Sequence, residues 1–176
     1  LIEPIHEGIL TMVESGIPTI AAIQGAAAGA GMSIALLTDL AVVAENARFT
    51  SAYIKIAASP DCGGSWALAR LVGRRKAAEI ALLSDPIDAA EAWRLGLVNR
   101  VVPTDQLYAT AIELARRIAS GPTDAVRQTR TLLDAAPHSS LRDQLRSELD
   151  SFVVASAHAD FNEGISAFFA RRQAHF

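Results

Sequence analysis

The run Ser59-Pro60-Asp61-Cys62-Gly63-Gly64-Ser65-Trp66 sets a carboxylate at the apex of a glycine-rich turn that opens a helix. Two chemistries fit Asp61. Pro-Asp-x-Gly is ordinary turn composition, because the aspartate side chain can bond its own backbone. A carboxylate held at a tight turn can equally carry a proton to and from a substrate carbon. On these residues alone both readings stand. Cys62 has no histidine close in sequence to activate it, and it reads as a small buried residue rather than a nucleophile. A second candidate is Gly29-Ala30-Gly31, at the start of another helix. Glycine and alanine let a ligand approach the backbone closely, and helix-start N–H groups point at developing negative charge. The same small residues also permit tight helix–strand packing.

The elements that must hold these residues are legible in outline. A first helix is expected to about Ser15, closed by Gly16 and Pro18, with Ile5, Ile9, Met12 and Val13 at helical spacing. PTIAAIQG (18–25) reads as a buried strand, and residues 25–39 as a small-residue loop feeding a helix. Residues 39–49 read as a strand and a turn. Helices are expected over Ser65–Leu71 and Arg74–Leu83, broken at Gly73. Asp88 is a suitable N-cap for the next helix, with Gly96 at its C-terminal end, and LVNRVVP (97–103) is a buried strand. Four helical segments follow, Thr104–Ala119, Thr123–Ala135, Ser140–Ala157 and Asp160–Arg172, with Asp160 as an N-cap candidate. The pattern predicts an α/β body over 1–103 and a helical C-terminal region over 104–176. Phe161, Ile165, Phe168 and Phe169 share one face of the last helix, so that region is expected to cover something.

Composition narrows the partners. The 176 residues are 51% hydrophobic and 20% charged, an ordinary globular balance. A net charge of −3 without a long basic run argues against nucleic acid. No apolar run approaches the roughly 20 residues of a membrane helix, and a cytoplasmic location is expected. One cysteine excludes an internal disulfide, and no Cys/His spacing resembles a metal site. His6, His138, His158 and His175 lack ligand spacing and read as solvated or capping residues. Arg74, Arg75 and Lys76 read as a solvated helix start. The chain opens without an initiator Met, so it reads as part of a longer protein, with an upstream targeting segment left open.

Five strings in register, PTIAAIQGAAAGAG, DLAVVAENARF, PDCGGSWALARLVG, AAEAWRLGLVNRVVP and EGISAFFARR, resemble the enoyl-CoA hydratase/isomerase (crotonase) superfamily from about Ile5 onward. The resemblance implies a crotonase-like β-β-α spiral core with a C-terminal helical trimerisation region. It implies acyl-CoA thioester substrates, homotrimers or dimers of trimers, and no cofactor beyond the coenzyme A of the substrate. In that family a thioester enolate is held by two backbone N–H groups. One matches Ala30, beside Gly31, and the other belongs to an N-terminal part absent from this sequence. Losing one such donor typically costs about 3–4 kcal/mol in the barrier. Arg171 matches a basic residue that reaches the nucleotide of coenzyme A, with Arg172 a weaker match, and Asp39 matches a position that orients a strand.

Two departures decide which activity the resemblance implies. Hydratases of the family carry glutamates at the positions of Ser33 and Tyr53 here. A serine and a tyrosine do not obviously replace the carboxylates that water addition needs. Asp61 stands where most hydratases have glycine and several isomerases have aspartate. PDCGG with GAAAGAG is similar to the 1,2-epoxyphenylacetyl-CoA isomerase and enoyl-CoA isomerase branch. The expected activity is a double-bond shift from 3-enoyl to 2-enoyl-CoA, or isomerisation of an aryl-acetyl-CoA ring epoxide, with Asp61 as the single acid/base. Burial against Tyr53 and Trp66 is expected to raise the Asp61 pKa. Tyr53 reads as a pocket wall or hydroxyl donor, Ser33 as a small filler, and Trp66 as core or acyl-pocket lining. The alternatives are a hydratase-like enzyme, a 4-chlorobenzoyl-CoA dehalogenase-like enzyme with Asp61 as nucleophile, and a non-catalytic acyl-CoA binder.

Overall fold

The computed structural model describes residues 2–176, and Leu1 lies outside them. The chain divides into a first unit running to Glu113 and a second over Leu114–Phe176, so the division falls ten residues beyond the expected change of character at Thr104. In the first unit, α1 (Ile2–Glu14) precedes β1 (Ile20–Ile23) and β2 (Ala26–Ala28). Then come α2 (Ala30–Ala35), β3 (Leu40–Ala44), β4 (Arg48–Thr50), α3 (Gly64–Leu83), β5 (Ile87–Asp88), α4 (Ala89–Arg94) and β6 (Arg100–Val102).

Two small sheets organise the unit. β1, β3 and β6 are parallel in that order, with Ile23 opposite Val43 and Val43 opposite Val101. Continuous apolar runs suit strands buried on both faces, and Val42 and Val43 are fully buried. Two reciprocal bonds lock the end of the sheet: Asn99 Oδ1 accepts from the Ala41 N–H at 2.7 Å, and the Asn99 N–H donates to the Ala41 carbonyl at 2.9 Å. At the same end Thr19 donates through its N–H and its hydroxyl to Asp39 Oδ2, at 2.7 and 2.9 Å. Asp39 therefore ties the entries of β1 and β3 together.

The second sheet departs from the expected reading. β2 pairs in parallel with β4, and β4 pairs antiparallel with β5, so part of the expected small-residue loop and part of the expected turn are strands. Three alanines carry no β-branched signal, and what makes them a strand is the backbone ladder to Arg48–Thr50, with Ala27 turned into the core. Phe49, Met32, Leu36, Leu68 and Ile80 fill the space between the sheets and helices. α3 is one helix broken at Gly73, which takes φ 74° and ψ 158°, at the expected interruption. Asp88 caps α4 by accepting from the Glu91 N–H at 2.8 Å.

The helix α5 (Leu107–Ala119) crosses the division, and the second unit continues with α6 (Thr123–Ala135), α7 (Leu141–Ser156) and α8 (Ala159–Ala170). His158, not Asp160, is the N-cap of α8, and Asp160 lies in the first turn, where a carboxylate also suits the helix dipole. Among the described residues of this unit only Leu114 and Ala167 are buried apolar side chains, while Leu141, Phe152, Phe168 and Phe169 are well exposed. The tail folds back on α8. Arg172 donates to both oxygens of Glu163 at 2.6 and 2.8 Å, and the His175 N–H donates to Glu163 Oε1 at 2.9 Å.

Two measurements check these assignments. Asp88→Ala removes a cap and is expected to cost about 1 kcal/mol in urea unfolding. The Arg172 guanidinium, then the His175 N–H, pull the Glu163 carboxyl down to about 2 from an ordinary 4.5. Its stabilisation is present above pH 4.5 and lost as pH falls through 2. The difference in Tm between the native protein and Glu163→Gln should therefore vanish across that window.

Candidate active site

The site grows from the end of β4. The Thr50 carbonyl accepts from the Gly29 N–H at 3.0 Å, which ties the start of α2 to the end of β4. The chain then turns sharply: Ala52 takes φ 62°, residues Tyr53–Ile56 make one 3-10 turn, and Ala57 takes φ 56°. Left-handed alanines are unfavourable and persist only where surroundings hold them. Ala52 is held by Ser84, whose fully buried hydroxyl accepts the Ala52 N–H at 2.8 Å. The Pro60–Gly63 turn bends likewise, with Cys62 at φ 50° and Gly63 at φ 75°. The Asp61 carbonyl accepts from the Gly64 N–H at 2.9 Å as α3 begins.

These turns bring Ser33, Tyr53 and Asp61 together. The Tyr53 hydroxyl donates to Asp61 Oδ1 in a short hydrogen bond, and Ser33 Oγ lies 3.1 Å from the same phenol oxygen. Ser33 and Tyr53 are buried, and Asp61 is half-buried. Donation from Tyr53 holds the Asp61 carboxyl below its ordinary range, against the upward push of burial, with smaller lowering contributions from the Cys62 thiol and His6. The expected rise in the Asp61 pKa is thus reversed: Tyr53 acts as a donor to the carboxylate, not as an apolar wall. Burial, then the bond to Asp61, push the Tyr53 phenol up, and burial does the same to the Cys62 thiol.

The other candidate residues are distributed as follows. Ala30 and Gly31 open α2, one turn before Ser33, where a helix leaves its first N–H groups without intrahelical acceptors. Gly29, with φ 53° and ψ −122°, sets the angle at which that helix begins. A cavity of about 20 Å³ lies against Gly29, Ser33, Tyr53, Pro60 and Gly64. Trp66 does not join the core. It stands 51% exposed on α3 with the Arg70 guanidinium 3.8 Å from its ring centroid. Arg171 ends α8 in the second unit, exposed, at φ 49°. Among the described residues no group of three His, Cys, Asp or Glu is arranged to hold a metal, and no helix is long and apolar enough to cross a membrane.

Two positioning residues escaped the sequence. Ser84, at the end of α3, carries no local signal for its bond to Ala52, 32 positions earlier. Gly64 looks like a second turn glycine, yet a Cβ there would lie 2.2 Å from Ser33 Oγ. Its role is to make room for that hydroxyl.

The sequence profile of the enoyl-CoA hydratase/isomerase family matches residues 2–176, and the chain belongs to that family. It is similar to the 1,2-epoxyphenylacetyl-CoA isomerase of Escherichia coli strain K12, at 39% identity over 159 residues, 90% of this chain and 61% of that protein. It is equally similar to a "probable enoyl-CoA hydratase" of Mycobacterium bovis, at 39% identity over 90% of this chain and 62% of the relative. The crystal structure of an enoyl-CoA hydratase from Polaromonas sp. JS666 superposes with a TM-score of 0.95 at 37% identity, over 99% of this chain and 68% of that one. The chain thus spans about three fifths of the length of these two sequence relatives. The crotonase fold expected from the sequence is the fold found.

Removing the Ser84 hydroxyl leaves the Ala52 N–H buried without its acceptor. Ser84→Ala is expected to cost about 1–3 kcal/mol in chemical denaturation, the usual penalty for an orphaned polar group. An unchanged stability would mean that Ala52 holds its conformation unaided.

Proposed function

We propose that the protein is an acyl-CoA isomerase working through a thioester enolate, with Asp61 as its single acid/base. Its substrate is a 3-enoyl-CoA converted to the 2-enoyl isomer, or the ring epoxide of an aryl-acetyl-CoA. One observation carries the reading: the positions where hydratases of this family place glutamates hold Ser33 and Tyr53, and the Tyr53 hydroxyl, with Ser33 against it, donates to Asp61. The carboxylate that remains is the only acid in that cluster.

The chemistry follows from the placement. The thioester oxygen accepts from the Ala30 N–H, at the open first turn of α2, and the adjacent carbon becomes acidic. Asp61 takes a proton from that carbon, and the negative charge spreads over the dienolate to the gamma carbon. The same carboxyl gives the proton back there. A bound acyl chain strips water from the carboxylate, and that desolvation opposes the lowering by Tyr53 and makes Asp61 a stronger base in the complex than in the free protein. The exposed aromatic face of α8 supports assembly into a homotrimer or a dimer of trimers, and Arg171 is assigned to the nucleotide of coenzyme A.

A carboxylate kept ionised also suits nucleophilic attack, and the low Asp61 pKa favours that second reading. The two are separated in heavy water. With the native protein and a 3-enoyl-CoA, isomerisation is expected with deuterium appearing at the alpha or gamma carbon. Asp61→Asn should lower both by at least about a thousandfold, a loss near 4 kcal/mol. Labelling of Asp61 from ¹⁸O-water without carbon exchange would instead establish the nucleophile. Thioester binding unaffected by the substitution, with no turnover in either protein, would establish a binder.

A further inference from the structure

The Tyr53 phenol carries one hydrogen, and the geometry directs it to Asp61 Oδ1. With that hydrogen committed, a hydrogen bond across the 3.1 Å contact to Ser33 runs from the serine hydroxyl to the phenol oxygen. The serine hydrogen has one competing acceptor, the Gly29 carbonyl at 3.2 Å. Gly64 keeps the space of the Ser33 hydroxyl clear, since a Cβ there would come within 2.2 Å of it. The result is a directed series, Ser33 to Tyr53 to Asp61, that ends on one carboxylate oxygen, Oδ1.

We propose that Tyr53 is a positioning residue for Asp61: its phenol pins Oδ1, so that Oδ2 alone receives and returns the substrate proton, and Ser33 holds the phenol in that role. This rests on the isomerase reading above. When the alpha C–H bond breaks, its electron pair enters the dienolate and the proton bonds to Oδ2. Oδ1 of the neutral acid still accepts from Tyr53, so the carboxyl cannot turn about its Cβ–Cγ bond and release the proton to water. The gamma carbon then takes the proton, the O–H bond breaks, and the carboxylate and the thioester carbonyl are restored. An unpinned carboxyl turns and exchanges before that return.

The measurement is the ratio of deuterium incorporated to product formed, for the native protein in heavy water with a 3-enoyl-CoA. Tyr53→Phe is expected to raise that ratio several-fold while slowing isomerisation. It should also move the acidic limb of kcat/KM to higher pH, because the donor that lowers the Asp61 pKa is gone. Ser33→Ala and Gly64→Ala should shift the ratio in the same direction by less, and they carry the measurement if Tyr53→Phe does not fold. An unchanged ratio and limb, with only a slower rate, would reduce Tyr53 to a structural wall and overturn the inference. Asp61→Asn is the control that separates the two levels. If it still isomerises, the isomerase reading falls. If it is inactive while the ratio stays fixed in all three variants, the positioning role alone falls.

Discussion

A buried phenol needs a partner for its hydrogen, because leaving it unpaired costs the full desolvation of the group. Tyr53 meets that need with Asp61, and the choice shapes the whole site. It orients the carboxylate, keeps it ionised in the free protein, and leaves the Tyr53 oxygen to accept from Ser33. Ser33 in turn requires glycine at position 64, so the second glycine of the turn after Asp61 is accounted for by a contact with α2. A local hydrogen-bond demand thus fixes side chains from three separate stretches of chain.

Those stretches meet because of one short ladder. β2 and β4 run parallel with Ala28 opposite Thr50, so the residue after each strand, Gly29 and Ser51, also come side by side. The Gly29 N–H closes that end of the ladder on Thr50. From there one chain continues into α2, with Ala30, Gly31 and Ser33, and the other into the left-handed turn carrying Tyr53. The first N–H groups of α2 and the carboxylate's partner are therefore spaced by backbone geometry rather than by side-chain packing. Sites placed on regular backbone are held more tightly than sites placed on loops.

Much of this could be read from the residues, and the failures have physical causes. The strands Ile20–Ile23 and Leu40–Ala44, the Gly73 break and the Asp88 cap each leave a local signature, and each stands where expected. β2 does not, because alanines become a strand only through the neighbour they pair with. Asp61 stands out by its turn and by family register. The direction of its pKa does not, since a tyrosine eight residues away reads equally as apolar wall or as donor until the hydroxyl is placed. Trp66 stands outside the core, the first of the two places expected for it, because a cation over the ring lets so large a side chain stay exposed. Ser84 acts across 32 positions, and nothing in its immediate sequence points there.

The segment from Leu114 onward has helices with caps and ion pairs but buries only two apolar side chains among its described residues, while Phe168 and Phe169 are 78% and 80% exposed. Helical propensity and surface ion pairs supply little free energy by themselves. Anything that binds its aromatic side would therefore stabilise the segment by mass action, without altering a single internal contact.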